Sequence, residues 1–82
     1  MREGAIASRV ERLVAEVFNL PLEAITLQSS PETIEGWDSM GQLNLIIALE
    51  QEFGVQFSVE DVEKMVHVQG IIYAVDGRRG VR

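Results

Sequence analysis

Eighty-two residues suffice for one domain, 1–82, with one modest core, and the absence of cysteine excludes a disulfide framework and a thiolate metal site. Apolar residues make up 46% and charged residues 24%, the balance of an ordinary soluble globular domain, and no apolar run reaches membrane-spanning length. The net charge of −6 is unevenly laid out: from Leu13 to Glu63 there are ten acids and no Lys or Arg, so this surface repels nucleic acid and anionic lipid and attracts basic patches on proteins.

Met1-Arg2-Glu3-Gly4 lacks the apolar region of a signal peptide, and a cytoplasmic protein is expected. Residues 4–18 read as the first helix, because Ile6, Val10, Leu13, Val14 and Val17 recur at i, i+3, i+4 and i+7 spacing. Ser8, Arg9, Glu11, Arg12, Ala15 and Glu16 fill its other face. Pro21 disfavours a helical conformation in the residue before it and ends the helix at Asn19-Leu20. Residues 19–38 form a long first connection, with a short helical turn expected near Pro21–Ile25. Leu22, Ile25, Leu27 and Ile34 are spaced to pin it to a core. Trp37 is expected to be the packing anchor at its end.

Gly36 permits a turn, Asp38 is a good N-cap, and residues 39–53 are free of proline and rich in Leu, Ile, Ala, Glu and Gln; a second helix over 39–53 follows. Ser39 then lies in its first turn, where unpaired N–H groups and the helix dipole favour an anion such as a phosphate ester. At ~100° per residue, Leu45, Ile46, Leu49 and Phe53 share one apolar arc, while Met40, Leu43 and Ile47 form a second, flanked by Ser39 and Glu50. A helix with two apolar arcs is either buried on several sides or carries an exposed ridge.

Gly54 suits a left-handed cap. Val55-Gln56-Phe57 alternates but is too isolated for a strand. Ser58 with Asp61 reads as a capping box for a short helix over 59–64. The last helix spans 67–76, with Val68, Ile71, Ile72 and Val75 on one face; Gly77 is its expected cap and 77–82 a frayed tail. The expected fold is all-α: a small four-helix bundle of three main helices and one short one.

Two chemistries are set aside on the residues. Ser39 does not sit in a G-x-S-x-G elbow, and the single histidine, His67, opens a distant helix, so no serine–histidine relay is spelled out. One histidine and scattered carboxylates do not make a metal site. The chain is read as no enzyme. An acidic helical interaction adaptor with an unmodified Ser39 is the reading of a different class.

Asp38-Ser39-Met40, with Gly36 before it and the acid-tipped helix ending in Ala48-Leu49-Glu50-Gln51-Glu52-Phe53 behind it, resembles the attachment motif of acyl carrier proteins. The resemblance covers nearly the whole chain. It implies that Ser39, with Asp38 as its motif partner, carries 4′-phosphopantetheine, whose thiol holds an acyl group as a thioester. It implies a phosphopantetheinyl transferase and acyl-loading and acyl-processing enzymes with basic docking patches as partners. They would dock on Met40, Leu43, Ile47, Glu50 and Glu52 of a monomer. Carriers of fatty acid synthesis often have acids two and five positions after the serine; Gly41 and Asn44 stand there. The departure favours a dedicated biosynthetic pathway over general fatty acid synthesis. It also carries the expectation that Gly41→Asp with Asn44→Glu improves use by fatty acid enzymes.

Overall fold

The computed structural model describes residues 2–80, with side chains from 5 to 78. Four α-helices follow in order: α1 Arg2–Phe18, α2 Ser39–Phe53, α3 Val59–Glu63 and α4 Val68–Gly80. A single 3-10 turn, Leu22–Ala24, interrupts the connection between α1 and α2. No strand occurs among the described residues.

α1 packs against both α2 and α4, which also touch each other. Their shared interior is built from Ile6, Val10 and Val14 of α1, Leu45 and Leu49 of α2, and Val68, Ile71 and Val75 of α4. Ile25, Ile34 and Trp37 close it from the first connection and Met65 from the last. The short α3 buries none of its residues. Burying such aliphatic side chains contributes about 1.5–3 kcal/mol each, so the three long helices hold the fold and α3 rides on it.

Helix ends follow local chemistry. α1 terminates with Asn19 at φ 58, a left-handed conformation that asparagine tolerates. The Asn19 N–H donates to the Glu16 carbonyl and the Leu20 N–H to the Ala15 carbonyl, a Schellman closure. Gly54, at φ 65, ends α2 as expected. The Ser58–Asp61 capping box is present: the Asp61 N–H donates to Ser58 Oγ, and the Ser58 N–H to Asp61 Oδ2.

Four expectations need correction. Ala15 is buried rather than on the outer face of α1; its methyl group is small enough to fit under the closing turn. Of the four apolar residues expected to pin the first connection, Ile25 and Ile34 are buried, whereas Leu22, in the 3-10 turn, and Leu27, after it, stay exposed. α4 begins at Val68 rather than at 67. It also passes through Gly77 to Gly80, so the expected cap and frayed tail at 77–80 are wrong. One glycine costs a helix only about 1 kcal/mol, and Arg78, bound to Asp61, sits in the last turn where the helix dipole favours a cation. Residues 81 and 82 lie outside the described residues.

Candidate functional site

Ser39 is the first residue of α2, and its side chain is exposed. Asp38 precedes it in extended conformation, and Asp38 Oδ1 accepts from the Gly41 N–H at 2.9 Å. The Asp38 carbonyl accepts from the Gln42 N–H at 2.7 Å. The first two N–H groups of the helix, those of Ser39 and Met40, have no hydrogen-bond acceptor among the described residues. The serine hydroxyl thus stands beside two free backbone donors at the positive end of a fifteen-residue helix.

The approach to Ser39 is rigidly set. Gly36, at φ +95, turns the chain. Trp37 is almost fully buried and stacks on Phe18 with ring centroids 5.4 Å apart. It is the packing anchor expected. Gly41 is buried where the turn passes α2: a Cβ there would stand 2.2 Å from the Gly36 carbonyl oxygen and 2.8 Å from the Phe18 ring. The glycine two positions after Ser39 is therefore dictated by close approach of backbone to backbone. Gly41→Asp cannot be accommodated without moving the turn that delivers Ser39, so the double substitution fails as a way to add charge.

α2 presents two unlike faces. Leu45 and Leu49 are at most 1% exposed, whereas Met40, Leu43 and Ile47 are 66%, 51% and 46% exposed. Ile46 and Phe53 are half-buried against the core. The ridge beside Ser39 is real, and α2 is not buried on every side.

The two acids in the second half of α2 are engaged within the chain. Glu50 Oε2 accepts from the Phe57 N–H at 3.0 Å and holds the connection to α3. Glu52 Oε2 pairs with Arg9 at 2.9 Å, and the same guanidinium donates to the Glu52 carbonyl and lies 4.5 Å from the centre of the Phe53 ring. Asp38 and Asn44 are both exposed.

A cleft of about 520 Å³ opens beside Ser39, lined by Pro31, Trp37, Asp38 and Gln42 on one side and Val62, Glu63, Met65 and Val66 on the other. Sequence reasoning missed Gln42. Its carboxamide accepts from the Trp37 indole N–H at 2.5 Å and donates to the Met65 carbonyl at 3.4 Å. The only sequence signal was a polar residue one turn after the serine.

His67 follows Val66 of the cleft wall but is not among the residues lining it with Ser39, and its imidazole has another partner. Its Nδ1 accepts from the Gly70 N–H at 2.9 Å, which caps α4. No cluster of three or more His, Cys, Asp or Glu able to hold a metal occurs among the described residues, and none of their helices is long and apolar enough to cross a membrane.

The family model for the phosphopantetheine attachment site matches residues 8–72. The fold is similar to that of a holo acyl carrier protein from Geobacter metallireducens, solved in solution by NMR. The TM-score is 0.80 at 25% identity, over 89% of this chain and 84% of that one. With a match that runs from within α1 through α2 and α3 into α4 and takes in the exposed serine, the chain belongs to the phosphopantetheine-attachment family of acyl carrier proteins, non-enzymatic carriers of a covalently bound phosphopantetheine group.

Proposed function

We propose that Ser39 is the attachment residue and that this carrier acts as a monomer in the cytoplasm, dedicated to a specialised biosynthetic pathway. One observation carries the assignment: an exposed serine hydroxyl at the first position of α2, beside the unpaired N–H groups of Ser39 and Met40. Those donors suit the phosphodiester of the bound group, and Asp38 fixes the turn by capping Gly41. The bound group supplies a terminal thiol that holds the acyl cargo as a thioester. The carrier's part is to keep that cargo at high effective concentration near a docked enzyme.

Incubation with coenzyme A, magnesium and a broad-specificity transferase should add one phosphopantetheine by mass, and Ser39→Ala should add none. Modification mapped to Ser8, Ser29, Ser30 or Ser58 would sink the assignment.

The docking ridge we propose is Met40, Leu43 and Ile47, with Asp38, an exposed acid with no ion pair among the described residues, beside it. Glu50 and Glu52 act on a partner through their charge while holding their internal contacts. Leu43→Ala should weaken transferase recognition with little loss of stability, whereas Leu49→Ala should cost roughly 2–5 kcal/mol. Because packing explains Gly41, the preference for a dedicated pathway now rests on Asn44. Asn44→Glu alone should improve acyl loading by fatty acid synthesis enzymes, and more so at low salt. If wild type already serves those enzymes as well as their own carrier, the dedicated-pathway reading fails and the carrier reading survives.

A further inference from the structure

We propose that Gln42 is the positioning residue of the attachment site: its carboxamide ties the two walls of the cleft beside Ser39 and so fixes the geometry in which the serine is offered. The inference rests on Ser39 as the attachment residue.

One wall is the end of the first connection, Trp37-Asp38, which delivers Ser39. The other is the stretch Val62–Val66 at the end of α3. Gln42 reaches both, accepting from the Trp37 indole and donating to the Met65 carbonyl. Among the described residues no other side-chain hydrogen bond joins α2 to the 62–66 wall. α3 buries nothing, and the wall's other ties are the Met65 side chain in the core, the Lys64–Asp61 and Met65–Val62 backbone bonds, and, through α3, the Asp61–Arg78 ion pair and the Glu50 bond to the Phe57 N–H.

The chemistry of the side chain is specific. A carboxamide can accept at its oxygen and donate at its nitrogen at once, and both are used. Gln42→Met keeps length and loses both bonds. Gln42→Glu keeps an acceptor for Trp37 but has no donor for Met65. Loosening either wall lowers the fraction of molecules that offer Ser39 correctly, which raises the apparent dissociation constant and leaves the chemical step alone.

The experiment measures three quantities on wild type and both variants. These are the Trp37 indole N–H resonance, amide-exchange protection of residues 65–67, and KM and kcat for transferase-catalysed attachment. The chain has one tryptophan, so the indole signal is unambiguous. Gln42→Met should shift the indole resonance, lower the protection and raise KM by roughly fivefold to thirtyfold, the weight of one to two neutral hydrogen bonds, with kcat unchanged. Gln42→Glu should keep the indole N–H hydrogen-bonded, its resonance moving downfield toward the carboxylate, lose the protection and raise KM as well. Its added negative charge pulls a basic partner closer, so a raised KM cannot come from charge. Unchanged KM in both variants, or a loss confined to kcat, overturns the proposal. If Gln42→Met does not fold, Gln42→Glu decides alone. Failure of wild type to be modified at Ser39 strikes the attachment assignment, while the resonance and protection still report whether Gln42 ties the walls.

Discussion

α2 and α4 begin in nearly the same way and are put to opposite uses. Each has a side-chain acceptor just before its first turn: Asp38 for the Gly41 N–H and His67 for the Gly70 N–H, both at 2.9 Å. Each has glycine at the third helical position, where a Cβ would meet a backbone carbonyl, that of Gly36 at 2.2 Å or of Lys64 at 2.3 Å. The difference lies in the first two N–H groups. In α4 those of Val68 and Gln69 donate to the Ser29 and Leu27 carbonyls, so the helix start is consumed in fastening the first connection. In α2 those of Ser39 and Met40 are left without a partner among the described residues. One device thus fastens a loop when its donors are filled and leaves a helix start open to a ligand when they are free.

The largest effects should come from the paired glycines. Gly41→Ala and Gly70→Ala should each destabilise by about 1–3 kcal/mol, since a backbone oxygen cannot step aside for a methyl group. Gly77→Ala, with nothing within 4 Å of the added Cβ, should instead stabilise α4 by up to about 1 kcal/mol. Denaturant unfolding of the three variants checks this; a neutral or stabilising Gly41→Ala would mean that close approach does not dictate the glycine.

The caps come next. Asp38→Ala and His67→Ala should each cost about 1 kcal/mol of unfolding free energy. If only one does, the two starts are not equivalent devices. A smaller effect belongs to α3, the third helix start. The Ser58 backbone N–H and, after it, Arg78 hold the Asp61 carboxyl below its ordinary value of 3.8. Because the folded pKa is the lower one, the stabilisation is present above the ordinary value and disappears as pH falls through the depressed one. Following the Asp61 carboxyl by NMR from pH 6 downward should show a lowered midpoint that moves up in Arg78→Ala. The smallest effect is spectroscopic. On attachment, the Ser39 and Met40 amide resonances should shift more than those of Val68 and Gln69, and an equal response at both starts would remove the distinction.

Much of this was legible in the sequence because it is local. The bounds of α2 came from Asp38 and Gly54, the start of α3 from Ser58 and Asp61, and the exposed ridge of Met40, Leu43 and Ile47 from angular spacing. What was not legible depends on residues far apart in the chain. Arg9 meets Glu52, and Gln42 meets Met65, across separations that no periodicity encodes. Gly41 read as a missing acid because the turn of Gly36 against α2 is a tertiary contact. His67 read only as a helix-start residue, since an imidazole is a less familiar cap than Asp or Ser, and Gly77 read as a stop although Arg78 carries the helix past it.

The fastening of the first connection to α4 has a consequence for how the molecule comes apart. Residues 26–30 contain turns that would fray alone, yet their carbonyls supply two of the first four acceptors of α4, His67 supplying the others. Opening the start of α4 and releasing the connection are therefore one event, a single cooperative unit rather than a loose segment beside a firm helix. Amide exchange at Val68 and Gln69 should keep pace with proteolytic cutting between residues 26 and 30 across a range of denaturant. The part of the twenty-residue stretch before Ser39 that carries Leu27 and Ser29 is then as durable as the start of the helix that anchors it, a fixed arm of the fold rather than a mobile one.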